Sequence, residues 1–182
     1  MIPFAASAAE YSRFVAGSSF STEGKNLART RILSASGCEV LLSVPVTGGS
    51  HALKSRRRTD VMISQHGRWQ DVHLGAWRAA YGRTPFFTHL FPEMERIYAE
   101  KSHGSLAEFN EAMHRLAVKW LGLPVSADAV RSALESNPER FKSVIGEYKR
   151  NLTPEISIFD AIFRYGKEAI FPLFAIIEEK VI

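Results

Sequence analysis

His73 is the histidine best placed for chemistry, because it lies at the centre of a regular pattern of large side chains. Trp69, His73, Trp77 and Tyr81 recur every four residues, close to one helical turn, and therefore form a stripe along one helix face. An imidazole between two indoles can be a hydrogen-bonded core residue, or a general base held in a fixed orientation. The pattern leaves both roles open for His73, and Trp69 beside it is a candidate for contact with a substrate.

Arg29 and Arg31 are the candidates for binding an anion. Their spacing of two residues puts both side chains on one side of a strand, with Ile32 on the other. Two neighbouring guanidinium groups repel each other unless a negative group lies between them, and a carboxylate or phosphate fits that position. The alternative is a pair of ordinary surface ion pairs.

Asp160 also has two interpretations. It can be the acidic partner of the two arginines and take part in catalysis. Alternatively, Ser157-Ile-Phe-Asp160 is a variant of the helix-capping box, with Ser157 as the cap.

Two further polar side chains are candidates for binding a substrate. Asn110 follows Phe109 by about 100° around its helix, so it flanks the buried stripe and can hold a loop carbonyl or line a pocket. Tyr81 closes the aromatic helix, where its ring can stay packed while its hydroxyl reaches polar groups.

The common motifs of nucleotide, zinc and serine-hydrolase sites are absent from the sequence. There is no phosphate-binding glycine loop, no His-Glu-x-x-His or Cys-x-x-Cys spacing, and no Gly-x-Ser-x-Gly elbow. No metal site is therefore predicted, and no particular cofactor or oligomeric state is indicated. The basic run from Lys54 to Arg58 is either a solvated loop or a clamp for phosphate or polysaccharide anions.

Local signals define the helices that must position these residues. The aromatic helix stops at Gly82, and Pro85 prevents it from restarting at once. Ser105-Leu-Ala-Glu108 is a capping box that opens a second helix, which Gly122 ends. The buried face of that helix is predicted to contain Phe109, Met113, Leu116 and Trp120.

The remaining segments complete the predicted organisation. Further helices are predicted within residues 1–17 (capped by Ser7), from Phe91-Pro92, at 127–135, at 138–149 and from Thr153. Strands are predicted within 26–35, 39–46 and 59–64, and a flexible loop at 47–51. The first two strands are expected to form an antiparallel pair joined by a short turn.

The composition indicates one globular domain over residues 1–182. Hydrophobic residues make up 46% of the 182 and charged residues 23%, a balance typical of folded proteins. The net charge of +4 permits an anionic ligand without a strong signal for nucleic acid. A single cysteine, Cys38, excludes an intrachain disulfide, and no apolar run is long enough to span a membrane; both features favour the cytoplasm.

Several short motifs, in order, resemble a known family. They are Arg29-Thr-Arg31-Ile32, Gly37, Leu42-Ser-Val-Pro-Val46, then Trp69-x3-His73-x7-Tyr81-x3-Pro85-Phe-Phe87, Glu108-Phe-Asn110, and Ile156-Ser-Ile-Phe-Asp160 with Phe163-x-x-Gly166. Over roughly residues 28–170 the chain is similar to the WbqC-like bacterial family. Two departures stand out: the family's Tyr-x-Asn-Arg reads Asn26-Leu-Ala-Arg29, and the first 25 or so residues match less well.

The resemblance implies a role near the biosynthesis of bacterial surface polysaccharide, the O-antigen. It implies an aminoacyl or acyl transferase that places glycine or a similar group on a sugar, with His73 and Asp160 as catalytic residues. Arg29, Arg31, Trp69, Tyr81 and Asn110 would then bind an anionic or sugar-linked small molecule. The alternative is a non-catalytic binding or assembly protein whose arginines hold the anion. The expected fold is α+β, with a small, largely antiparallel sheet covered by helices, and a mixed α/β sheet is the second possibility.

Overall fold

The computed structural model describes residues 3–15, 20, 27–54, 60–100, 104–123, 155–171 and 173. The helices are α1 (Ala8–Val15), α2 (Gly49–Lys54), α3 (Trp69–Tyr81), α4 (Phe87–Ala99), α5 (Leu106–Leu121) and α6 (Ile158–Tyr165), which runs into a 3-10 turn (Gly166–Ala169). The strands are β1 (Arg29–Leu33) and β2 (Glu39–Ser43), which pair antiparallel. The fold is therefore α+β, as predicted. No helix within these ranges combines the length and the apolar character needed to cross a bilayer.

The hairpin of β1 and β2 has one buried and one exposed face. Exposed and buried residues alternate along β1, so Thr30 and Ile32 point into the core while Arg29 and Arg31 point outward. Arg29 lies opposite Ser43 and Arg31 opposite Leu41. The predicted pairing and the shared face of the two arginines are confirmed. Strand β2 ends three residues earlier than predicted, at Ser43.

Helices α3 and α4 pack together beside the hairpin. Helix α3 has the predicted bounds and buries His73, Trp77 and Tyr81. The predicted start of α4 is wrong: the helix begins at Phe87, which leaves Pro92 in its interior rather than in its first turn. Proline there removes one helical hydrogen bond. Burial of the α4 side chains Phe87, Phe91, Met94 and Tyr98 offsets that loss.

Helix α5 matches its prediction along its whole length. The Ser105 hydroxyl accepts from the Glu108 N–H, and the Glu108 carboxylate accepts from the Ser105 N–H, which completes the capping box. The helix ends at Gly122, whose φ of 72° is readily available to glycine and costly for other residues. All four residues of the predicted apolar face are buried.

The amino ends of α1 and α6 meet and fix each other. Ser7 and Ser157, the residues before the two helices, form an isolated antiparallel bridge, and the Ser157 N–H also donates to the Arg31 carbonyl of β1. The predicted caps at Ser7 and Ser157 are both confirmed. Gly166 ends α6 at a φ of 58°, where an added Cβ would lie 2.8 Å from the Phe86 ring. Helix α6 is thereby anchored at both ends.

Two predicted segments differ in the structure. The predicted loop at 47–51 contains the start of the short helix α2, whose Leu53 is buried against the core. The predicted strand at 59–64 is reduced to single bridges, from Ile63 to Val46 and from Met62 to Ser105. In both places tertiary contacts override weak local preference. The helices predicted at 127–135 and 138–149, the start at Thr153 and Arg56–Arg58 lie outside the described residues.

Candidate functional site

His73 is enclosed in the core, where both of its ring nitrogens have partners. Its Nδ1 lies 3.3 Å from the Tyr98 hydroxyl, and its Nε2 lies 3.2 Å from the carbonyl oxygen of Ser43 on β2. The Trp77 indole N–H donates to the same Tyr98 hydroxyl over 3.3 Å. Phe4 stacks on the imidazole with a centroid distance of 5.8 Å. The residue as a whole is 3% exposed.

The partners of His73 define its tautomer. A carbonyl oxygen can only accept, so Nε2 carries the hydrogen that is donated to Ser43. Nδ1 of the neutral ring then accepts from the Tyr98 O–H, while the Tyr98 oxygen accepts from Trp77. Every polar group of this network is satisfied by the neutral imidazole. The contacts thus favour the core role for His73 over the role of a general base.

Burial also keeps His73 neutral. Desolvation lowers the pKa of its imidazole from 6.5 to about 4, although the hydrogen bond to the Ser43 carbonyl works in the opposite direction. Between about pH 4 and pH 6.5 the ring is neutral in the folded chain and mostly protonated in the unfolded chain, so the free energy of unfolding depends on pH. The contribution of His73 is fully present above pH 6.5 and is lost as the pH falls towards 4.

We therefore expect acidification to destabilise the protein through His73. Between pH 7 and pH 5 the unfolded chain gains a proton on this ring that the folded chain does not, which costs about 2 kcal/mol. Urea denaturation at a series of pH values measures the effect. His73→Gln should be less stable at pH 7 and should show a smaller loss on acidification. His66→Gln, which removes an exposed histidine, is the matched control. Equal pH dependence in wild type and His73→Gln would contradict the prediction.

The two arginines of β1 lie side by side on the outer face of the hairpin. Arg31 Nε lies 3.4 Å from Glu39 Oε2, and both side chains are about half exposed. Glu39 is a diagonal neighbour, since Arg31 is paired with Leu41. Arg29 is exposed and has no ion-pair partner among the described residues. The alternative of two ordinary ion pairs thus holds for Arg31 and not for Arg29.

Asp160 is fully buried and is not the partner of these arginines. Its Oδ1 accepts from Arg164 Nε over 3.1 Å, one turn later on α6. Its Oδ2 has no hydrogen-bond partner among the described residues, although the Tyr81 hydroxyl is near enough to affect the carboxyl. Burial raises the pKa of Asp160, while Arg164 and Tyr81 act to lower it. The Tyr81 oxygen accepts the backbone N–H of Leu33 over 3.1 Å, so this group ties α3 and α6 to β1.

Asn110 and Trp69 lie in different surroundings. Asn110 is fully buried and donates from Nδ2 to the Leu27 carbonyl over 2.7 Å, so it holds the chain just before β1. Trp69 is half-buried and packs edge-on against His73 and Phe109 and at a tilt against Tyr98. It also lines a small cleft that is open to solvent. The predicted site residues thus lie in three separate places. Two are on the outer face of the hairpin (Arg29 and Arg31), one lines the cleft (Trp69), and the others are buried in the core: His73, Tyr81, Asn110 and Asp160.

Comparison with known proteins gives one match. The profile of the WbqC-like protein family matches residues 8–150, more than half of the chain. The chain belongs to the WbqC-like family. No curated protein and no solved structure matches it.

The match to the WbqC-like profile covers α1 to α5 and ends before Asp160. Among the described residues of this WbqC-like protein, no group of three or more histidine, cysteine, aspartate or glutamate side chains is arranged to hold a metal ion.

Three residues of these groups were not predicted from the sequence. Arg164 follows Asp160 by four residues, a spacing at which helical side chains meet, so that signal was available. Glu39 could be placed beside Arg31 only with the register of the hairpin. Tyr98 is 25 positions from its partner His73, and no local pattern joins them.

Proposed function

We propose that this WbqC-like protein binds an anionic, sugar-linked small molecule in bacterial surface-polysaccharide (O-antigen) biosynthesis. Arg29 and Arg31 hold the anionic group. The observation that carries the proposal is the position of Arg29, an exposed cation beside a second arginine and without an ion-pair partner among the described residues. The association with surface polysaccharide comes from the family resemblance.

The chemistry of the hairpin face supports an anion there. A guanidinium group presents paired N–H donors that match the oxygens of a phosphate or carboxylate. The ion pair of Arg31 with Glu39 is half exposed and therefore weak, so Arg31 can exchange its partner for a ligand. The buried side chains Thr30 and Ile32 between and beside the arginines anchor the strand. The two cations are thus held on a fixed backbone.

We expect Arg29→Ala to weaken binding of glucose 1-phosphate about tenfold or more, because a hydrogen-bonded charge partner is lost. Isothermal titration calorimetry measures the affinity. Glu39→Gln should strengthen binding, since it frees Arg31 from its ion pair. Arg83→Ala removes another exposed arginine, one that is not part of the hairpin, and is the matched control. Equal affinity in wild type, Arg29→Ala and Arg31→Ala would remove the hairpin from the site.

The second candidate function is transfer of an aminoacyl or acyl group to a sugar hydroxyl. It is favoured by the Asp160 carboxyl, which has a raised pKa, a second oxygen without a hydrogen bond, and the Tyr81 hydroxyl nearby. Acyl transfer to a hydroxyl needs a group that takes its proton. Asp160 is fully buried and paired with Arg164, whose side chain is 35% exposed, so substrate access requires a rearrangement around the carboxyl. Transfer of labelled glycine from an activated ester or thioester to a saccharide hydroxyl, with release of the donor's alcohol or thiol, is measured for wild type, and its loss in folded Asp160→Asn tests this role.

A further inference from the structure

An aromatic cluster holds the carboxyl half of α1 against α5. The Tyr11 hydroxyl of α1 lies 2.8 Å from Nδ1 of His114 on α5, and the two rings stack at a centroid distance of 5.7 Å. Phe14 and Phe20 meet the same imidazole edge-to-face, at 5.2 Å and 5.4 Å. Tyr11 is buried, and the other three residues are half-buried. His114 thus joins the aromatic side of α1 to α5.

The hydrogen bond between Tyr11 and His114 has a defined direction when the imidazole is neutral. Burial, together with the carboxylates of Glu10 and Glu111, raises the pKa of the Tyr11 hydroxyl, so the hydroxyl keeps its proton. A buried O–H needs an acceptor, and Nδ1 of a neutral imidazole supplies one. The hydrogen of the ring is then on Nε2. The contact therefore fits a neutral His114 that accepts from Tyr11.

Protonation of His114 disrupts this arrangement. Both nitrogens of an imidazolium are donors, so Nδ1–H would face the Tyr11 hydroxyl, and the hydrogen of that hydroxyl would need a different acceptor. Glu10 precedes Tyr11 on α1, and its Oε1 is buried without a hydrogen-bond partner among the described residues. The Tyr11 hydroxyl would then turn from α5 towards its own helix.

The charged groups near this pair do not compensate the cost of a charge on His114. Three aromatic rings replace water around the imidazole, which disfavours its charged form. Glu111 would attract the charge, but its Oε1 lies 3.6 Å from Nε of Arg115, and Arg115 repels the imidazolium. On α1, the Glu10 carboxylate is held by the Ser7 N–H over 3.0 Å. The pKa of His114 is accordingly lowered, with burial as the largest cause.

We propose that Tyr11 and His114 form a pH-sensitive latch, which fastens the carboxyl half of α1 to α5 at neutral pH and releases it on acidification. A histidine whose folded pKa lies below its unfolded value contributes stability that is fully present above pH 6.5 and is lost as the pH falls through the folded pKa. The amino end of α1 is fixed separately, by the bridge from Ser7 to Ser157. Release is therefore local. The latch is independent of the hairpin arginines and goes beyond the proposed function.

Hydrogen–deuterium exchange of the full chain, followed by mass spectrometry at pH 7 and pH 5 and corrected for the intrinsic effect of pH, tests the latch. We expect the α1 amides to exchange about threefold or more faster at pH 5, the scale of one hydrogen bond. Their exchange should depend only weakly on low concentrations of urea, because detaching one helix exposes little surface. NMR titration of the histidine Cε1–H signals should give His114 a pKa below 6.5.

Four variants assign the effect to the two residues. His114→Asn keeps an amide oxygen that can accept the Tyr11 O–H but does not titrate, so the pH effect on α1 should disappear. Tyr11→Phe keeps the ring and loses the hydroxyl, so α1 should exchange faster than in wild type already at pH 7. His73→Gln removes another histidine with a lowered pKa, and His89→Gln removes an exposed one. Both should keep the pH effect on α1.

Three results would overturn the latch. The first is an equal effect of pH on α1 exchange in wild type and His114→Asn. The second is a steep urea dependence of α1 exchange at pH 5, since α1 would then open only with the whole fold. The third is a His114 pKa at or above 6.5 in the NMR titration.

Discussion

Replacing Trp120 by alanine is expected to lower the free energy of unfolding by about 3–5 kcal/mol. The indole is 5% exposed and packs edge-on against Phe159 and at a tilt against Phe163 of α6. Its N–H donates to Glu93 of α4 over 3.4 Å. One side chain thus joins α5 to both α4 and α6, and the surrounding helices can close only part of the cavity that alanine would leave.

Equilibrium denaturation in urea measures this loss, and two variants serve as controls. Trp120→Phe keeps most of the ring contacts and loses the hydrogen bond, so its cost should be nearer 1 kcal/mol. Val72→Ala alters a side chain that is 65% exposed and should stay within about 0.5 kcal/mol of wild type. A loss under about 1 kcal/mol for Trp120→Ala would mean that the α5 face is not packed as described.

Helix α5 was predictable because its local signals agree. The capping box at Ser105, the spacing of Phe109 and Met113, and the terminal Gly122 all indicate the same helix. Each signal depends on residues no more than four positions apart, so the local sequence is enough to predict the helix. The hairpin is a similar case in its pairing, since a short turn joins β1 and β2, but the register that brings Glu39 to Arg31 required the structure.

The start of α4 could not be read in the same way. Proline strongly favours the first turn of a helix, which predicts a start near Phe91. The earlier start at Phe87 depends on packing: the Phe87 ring stacks on Phe91 at 4.3 Å and contacts Phe163, which is far away in the sequence. Burial of aromatic rings that are distant in the sequence outweighs the hydrogen bond lost at Pro92. A short stretch of sequence does not show that balance.

The candidate site shows the same division. The stripe that contains Trp69 and His73 was readable, since both lie on one α3 face. The difference between them was not. His73 has an acceptor in Ser43 and a donor in Tyr98, whereas the Trp69 N–H has no acceptor among the described residues, although the two residues are one turn apart. Periodicity places side chains on a face, but the partners across that face come from β2 and α4.

The second large effect is expected from Arg164→Met, which should cost about 3–5 kcal/mol at pH 7, because it leaves a buried charge without its counter-ion. Asp160 is fully buried, and Arg164 is its one ion-pair partner among the described residues. Methionine keeps much of the apolar stem of arginine, so the cost reports mainly the lost charge. The double variant Asp160→Asn/Arg164→Met also removes the unpaired carboxylate charge and should recover part of the stability.

The pH dependence distinguishes this effect from a packing defect. Burial already raises the pKa of Asp160, and removal of the arginine takes away the strongest opposing influence, so the pKa should rise further. A carboxyl whose folded pKa lies above its unfolded value contributes stability at low pH and loses that contribution as the pH rises. The gap between wild type and Arg164→Met should therefore widen from acidic pH to pH 7 in urea denaturation, and the double variant should show no such widening. A gap that is constant with pH would show that Asp160 is not left charged in the core.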